Sequence, residues 1–199
     1  MCAPVAVANG LAWLEGDTHS NRVVGLADLL ASEDYMATNF NAGTPLLRVI
    51  RGTGRYLDES GLAYKRLAYA GWQRVRPANR ADEPLSISWL VQGLTAKSSV
   101  WLNLGWYDSP FPGYYHRLGG HWVTLVGYKN GKLLVNDPGP AAGPGIDPQA
   151  LIPRKVVPLL TKTEYDWLFP TKPLIELPGL LTQKGKRAYI DGALILELE

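Results

Sequence analysis

The first 60 residues carry apolar positions at helical spacing. Beyond Ala3, the apolar residues Val5, Ala8 and Leu11 recur every three residues, which predicts a helix to about residue 14 that begins directly after Cys2. The same kind of spacing predicts two further helices, over residues 22–32 and 44–59. The N-terminal part of the chain is therefore expected to be helical.

The pattern then shifts to strand-like composition. Two β-rich runs flank Asn130-Gly131, a dipeptide that favours a tight turn, so residues 121–139 are predicted to form a β-hairpin. Further strands are predicted over 65–75, 98–107, 155–160 and 187–198, with a helix over 83–96 and loops over 106–120 and 138–148. Helices first and an antiparallel sheet second predict one α+β domain over residues 1–199.

Composition limits the classes of function. The chain is 46% hydrophobic and 19% charged, which is typical of a globular protein, and its net charge of +2 gives little support to nucleic-acid binding. No apolar run approaches the roughly 20 residues that span a bilayer, and the start lacks the layout of a signal peptide. Localisation stays open. With one cysteine and dispersed histidines, neither a metal site nor a cofactor is expected.

Cys2 is the only cysteine and lies at the start of a predicted helix. A thiol becomes a nucleophile when it loses its proton, and both a helix N-terminus and a neighbouring imidazole favour that loss. Of the three histidines, His19 lies in a polar stretch and His116 in the aromatic loop. His121 instead opens a strand after two glycines, and the hairpin's second strand ends just before Asp137. Asp137 could orient the imidazole of His121.

The register of the hairpin decides whether this pair can form. A two-residue turn would set Asp137 opposite Thr124, on the other face from His121. A three-residue turn over residues 129–131, closed by a glycine bulge, would set Asp137 opposite Val123, on the face of His121. If His121 and Asp137 form a catalytic pair, the hairpin is therefore predicted to have the three-residue turn with a bulge.

The aromatic loop beside the hairpin is the candidate substrate wall. Trp122, next to His121, is also expected to shield the catalytic pair from water. Ordinary packing of the same side chains is the alternative interpretation. The candidate substrate-binding residues in this region are Trp106, Tyr107, Phe111, Tyr114, Tyr115, Gly120 and Trp122.

Three blocks of sequence carry a resemblance to a known family. They are CAPVAVAN at 2–9, GGHWVTLVGY at 119–128 and VNDP at 135–138. Their order resembles that of the papain-like cysteine peptidases that process bacteriocin leaders of the double-glycine type. The resemblance implies a papain-like fold, peptide-bond hydrolysis without a cofactor, and a peptide or protein substrate. It also implies Cys2 as nucleophile, His121 as general base and acid, and Asp137 as the residue that holds His121.

One feature of the resembled family is not found here. Its members carry a glutamine a few residues before the nucleophile, which stabilises the oxyanion, whereas only Met1 precedes Cys2. A segment upstream of Met1 is one expectation that would supply it. A catalytically silent, papain-like peptide-binding domain is a second. A third is an N-terminal-nucleophile amide hydrolase, in which removal of Met1 would expose Cys2, although such enzymes carry the nucleophile on a strand.

Overall fold

Three helices form the N-terminal part of the structure. They are α1 (Cys2–Leu14), α2 (Ser20–Ala31) and α3 (Leu46–Ser60). The structure is a computed structural model that describes residues 1–109, 111–139, 148–156, 160–162, 168–169, 174–180 and 186–199. Most of the predicted loop at 138–148 and part of the predicted strand at 155–160 lie outside these residues. Within them, no helix combines the length and apolar character needed to cross a membrane.

The sheet contains ten strands among the described residues. They are β1 (Tyr64–Gly71), β2 (Ser98–Asp108), β3 (Tyr114–Lys129), β4 (Lys132–Asn136), β5 (Gln149–Leu151), β6 (Arg154–Val156), β7 (Leu160–Lys162), β8 (Leu168–Phe169), β9 (Leu174–Glu176) and β10 (Arg187–Leu198). The longest strands, β2, β3 and β10, lie at the centre of the sheet. From one edge the order is β5-β4-β3-β2-β10-β9-β6, β1 also pairs with β10, and all these pairs are antiparallel. The exception is β7, which runs parallel to β3 and antiparallel to β8.

Both faces of the central strands are buried. Along β2, Trp101 packs with the three N-terminal helices, whereas Leu102 and Leu104 belong to a second apolar cluster with α4 (Ile87–Gln92). A strand buried on both faces has a nearly continuous apolar sequence, and the centre of β2 has one that Asn103 interrupts. The predicted α+β class is confirmed: helices are combined with a mainly antiparallel sheet.

Two element predictions were wrong in extent. The predicted loop at 106–120 is mostly strand, because β2 continues to Asp108 and β3 already begins at Tyr114. Alternate aromatic side chains of this segment are buried, so it pairs as sheet despite its glycines. The helix predicted over 83–96 is reduced to α4, which begins after Ser86, whose side chain accepts a hydrogen bond from the Trp89 N–H.

The β3–β4 hairpin has a different turn from the predicted one. Lys129 pairs directly with Lys132, so the turn contains only Asn130 and Gly131, with φ angles of 52° and 75°. Positive φ at both central residues defines a type I′ turn. The prediction of a three-residue bulged turn is therefore corrected. A bulge does occur in β3, but it lies at Val126, four residues before Asn130, where the pairing with β4 shifts by one residue.

Gly131 is expected to matter for its backbone conformation alone, because a Cβ there would meet no atom within 4 Å. We expect Gly131→Ala to lower the free energy of unfolding by about 1 kcal/mol, since a left-handed φ is unfavourable for residues with a Cβ. Gly25→Ala is the matched control. It also adds a methyl group in open space, but within α2, and it should raise stability by about 0.5–1 kcal/mol. Urea denaturation measures both, and equal effects would contradict the turn assignment.

Candidate active site

Cys2 is held at the first turn of α1, half-buried against the sheet. The helix begins at Cys2, so the Cys2 N–H has no acceptor within the helix. The Thr124 hydroxyl donates a hydrogen bond to the Ala6 carbonyl at 2.8 Å, which fastens α1 to β3. Since β3 also carries His121, this bond fixes the helix start relative to the imidazole.

His121 and Asp137 form a direct hydrogen bond. His121 Nε2 lies 2.6 Å from Asp137 Oδ1, and the two side chains are 13% and 2% exposed. The Gly139 N–H donates to the same carboxylate oxygen at 2.8 Å. The bulge at Val126 explains the contact, because beyond it Thr124 pairs with Asn136, and extending that register sets Asp137 on the face of His121.

The Cys2 thiol and the His121 imidazole interact, and each shifts the pKa of the other. Because Nε2 of the ring faces Asp137, Nδ1 is the nitrogen left for the sulfur. Burial opposes the charged form of His121, but hydrogen bonds to Asp137 and Cys2 outweigh burial and raise the pKa of His121 to about 9. Burial also opposes the thiolate, yet the hydrogen bond to His121, its positive charge and the Trp122 N–H together lower the pKa of Cys2. These shifts favour a thiolate–imidazolium pair.

Trp106, rather than Trp122, covers the imidazole. The rings of Trp106 and His121 are stacked with centroids 5.6 Å apart and an interplanar angle of 23°. An indole face attracts a cation, so this stack also favours the imidazolium. The side chain of Trp122 is buried in the helix–sheet core, which corrects its predicted role as a water shield. Its backbone N–H instead helps to lower the pKa of Cys2.

The other candidate wall residues divide by burial. Tyr107 and Tyr115 pack edge-on against Tyr189 in a separate buried cluster. Together with the buried Trp122, they have no face open to a substrate, so these three side chains are removed from the candidate wall. The candidates that keep exposed surface are Trp106, Phe111, Tyr114 and Gly120.

The remaining histidines lie apart from this contact network. His19 is exposed and directly precedes α2, and His116 Nδ1 lies 3.7 Å from Asp108. Neither shares a contact with Cys2 or His121 among the interactions of the described residues. Within the same residues, no group of three or more His, Cys, Asp or Glu side chains is arranged to hold a metal ion.

Sequence reasoning missed two features next to the site. The Gln73 amide donates a hydrogen bond to Asn103 Oδ1 at 3.4 Å, and Asn103 of β2 pairs with Trp122 of β3. A glutamine side chain therefore lies one strand away from Trp122, whose backbone N–H helps to lower the pKa of Cys2. The second feature is a buried ion pair between Arg117 and Asp191. No sequence spacing signals either contact, because both depend on which strands are neighbours.

No family model, curated protein or solved structure matches this chain at a significant level.

Removing the negative charge of Asp137 should lower the pKa of His121. We expect Asp137→Asn to lower it from about 9 by about one unit or more, because a neighbouring anion stabilises the imidazolium and the amide does not. NMR titration of the imidazole resonances measures the shift. Asp108→Asn is the matched control, since Asp108 lies beside His116 instead, and it should leave the His121 titration unchanged. An unshifted His121 in Asp137→Asn would contradict the assigned contact.

Proposed function

We propose that this protein is a cysteine-dependent hydrolase of peptide bonds. The observation that carries the proposal is the arrangement of Cys2, His121 and Asp137, in which the imidazole is hydrogen-bonded to Asp137 and interacts with the thiol of Cys2. A nucleophile, a base within reach of it and a group that orients the base are the three parts that covalent acyl transfer requires. The lowered pKa of Cys2 and the raised pKa of His121 support the same assignment.

The reaction follows from this arrangement. The Cys2 thiolate attacks the carbonyl carbon of the scissile bond, and negative charge develops on the carbonyl oxygen. The Cys2 N–H, which has no acceptor in the helix, can donate to that oxygen. The imidazolium of His121 gives its proton to the leaving amine, and an acyl-thioester remains on Cys2. His121 then accepts a proton from water, the hydroxide attacks the thioester, and the thiolate and the carboxylic acid product are released.

The family resemblance fits this proposal. A papain-like arrangement places the nucleophile at a helix start and the histidine and acid on a sheet, with the cleft between the two. The resembled family cleaves peptides, so a peptide or protein is the proposed substrate. The N-terminal-nucleophile alternative has less support, because Cys2 begins helix α1 rather than a strand. The silent peptide-binding domain has the same contacts but no turnover, so activity separates the two.

The reactivity of Cys2 is the first test. We expect iodoacetamide to alkylate Cys2 with a midpoint well below the free-thiol value of about 8.5, because the imidazolium stabilises the thiolate. His121→Ala should return the midpoint to that value or above it, since burial then acts without a compensating charge. His116→Ala is the matched control and should leave the midpoint unchanged. An ordinary midpoint in the parent protein would argue against a catalytic thiol.

Hydrolysis should depend on pH in both directions. With a mixture of quenched fluorescent peptides, we expect kcat/KM to fall at acid pH as the Cys2 thiolate is protonated. It should also fall above about pH 9 as His121 loses its proton, because the leaving amine then has no acid. Cys2→Ala should reduce turnover about 10³-fold or more. A reactive thiol without any turnover would instead identify the silent binding domain.

A further inference from the structure

Arg117 and Asp191 form a buried ion pair that the proposed reaction does not use. Arg117 Nε donates to Asp191 Oδ2 at 2.7 Å, and the side chains are 7% and 0% exposed. The Tyr107 hydroxyl donates to the other carboxylate oxygen at 2.6 Å. Burying two charges is costly, and apolar residues of similar volume often stabilise such a position equally well. The pair therefore calls for an explanation in terms of geometry rather than stability.

Two β-bulges direct these side chains to one point. Leu118 is an extra residue in β3, because the pairing with β2 shifts there by one residue. Without that bulge Arg117 would share a face with His121, but with it Arg117 lies on the face of Gly120. Asp191 is itself the extra residue in β10. Each charged side chain thus owes its direction to a local departure from regular sheet pairing.

The ion pair lies where Cβ atoms would be if the paired residues Gly105 and Gly120 carried side chains. Arg117 Nη2 lies 2.7 Å from the position of a Cβ on Gly120, and Asp191 Oδ2 lies 2.6 Å from that of a Cβ on Gly105. Gly105 and Gly120 face each other across β2 and β3. Two consecutive glycines before His121 would otherwise give this segment unusual conformational freedom. The guanidinium restricts that freedom by packing directly on the backbone.

We propose that the Arg117–Asp191 ion pair is a positioning device for His121. It holds the backbone of Gly120 in one conformation and so fixes the imidazole of the next residue against Cys2 and Asp137. The proposal rests on the proposed function for its consequence in turnover, but its effect on the imidazole is independent of any substrate. Arg117 and Asp191 are positioning residues, since the contacts described for them are with the framework of the site.

The charges around His121 allow the geometric role to be tested separately from electrostatics. Among the described residues, the charged groups that contact its ring are Cys2 from α1 and Asp137 after β4, with the uncharged Trp106 ring from β2 stacked on it. Removing a cation and an anion together leaves the net charge near the site unchanged. A change in the pKa of His121 after both Arg117 and Asp191 are neutralised therefore indicates that the imidazole ring has moved.

The main experiment uses the double variant Arg117→Met/Asp191→Asn, which removes both charges and leaves no buried ion unpaired. We expect the imidazole pKa of His121, read by NMR, to fall by about one unit or more as its hydrogen bonds lengthen. The alkylation midpoint of Cys2 should rise, and kcat should fall about 10-fold to 100-fold with KM changed little. A folded double variant with an unchanged His121 pKa, Cys2 midpoint and kcat would overturn the proposal.

A second Arg–carboxylate–tyrosine cluster provides the matched control. Arg22 binds both Glu15 and the Tyr56 hydroxyl, at the C-terminal end of α1 and away from His121. Arg22→Met/Glu15→Gln removes the same kinds of group and is expected to leave His121 and Cys2 unchanged. Equal shifts in the two double variants would indicate general loosening of the fold and would also overturn the proposal.

The adjacent glycines provide a test that leaves both charges in place. A Cβ on Gly120 would displace the guanidinium, whereas the nearest atom to a Cβ on Gly119 is Trp106 Cδ1 at 3.9 Å. Neither glycine has a positive φ, so alanine is compatible with the backbone at both. We expect Gly120→Ala to lower the His121 pKa and Gly119→Ala to leave it unchanged. If the double variant does not fold, the comparison of Gly120→Ala with Gly119→Ala tests the proposal by itself. Equal His121 pKa values in these two variants would overturn the proposal.

The outcomes for the two proposals can be distinguished. An ordinary Cys2 midpoint and no peptide cleavage in the parent protein would refute the proposed function. The His121 titrations of the variants would still decide whether the ion pair positions the imidazole, because they require neither substrate nor a reactive thiol.

Discussion

The register of β3 against β4 is the constraint on which the whole site depends. Side chains alternate between the faces of a sheet, so a slip of one residue would carry Asp137 to the face opposite His121. The two-residue turn at Asn130-Gly131 alone would produce that unproductive register. The single extra residue at Val126 corrects it before the strand reaches His121. Backbone pairing therefore determines the His–Asp contact.

Burial makes the site's electrostatics interdependent. A half-buried thiolate and a buried carboxylate would each be unfavourable alone, but the imidazolium between them compensates both. Burial tends to raise the pKa of Asp137, and the bond to His121 together with the Gly139 N–H more than offsets it. The charged form of each residue thus depends on its neighbour. In such a chain, a small displacement of the imidazole alters the protonation of all three groups.

The sequence was informative where local patterns are strong. Helix α1, the Asn130-Gly131 hairpin and the candidate residues Cys2, His121 and Asp137 follow from spacing and residue type, and the structure brings those three side chains together. It was uninformative about bulges, since an extra residue leaves no mark in a strand whose two faces are both apolar. The prediction of the turn was therefore wrong, although the predicted register, with Asp137 on the same face as His121, does occur.

Three of the predicted wall residues proved to be buried for a related reason. Aromatic residues beside glycines look like a loop, but buried faces on both sides of the sheet accommodate Tyr107, Tyr115 and Trp122 as core residues. In the sequence these three residues look the same as Trp106, because the burial of each one depends on which strands are its neighbours in the sheet.

Three bulges lie at Leu118 and Val126 in β3, which carries His121, and at Asp191 in β10, which lies two strands away. Each interrupts a ladder of hydrogen bonds, so a sheet selected only for pairing would lack all three. The bulge at Val126 aligns Asp137 with His121, and the other two direct the buried ion pair onto Gly120, directly before His121, and onto its cross-strand partner Gly105. Since all three irregularities bear on the same imidazole, its placement is the most economical physical reason for them. At these three positions, the loss of regular pairing is thus offset by the placement of one ring.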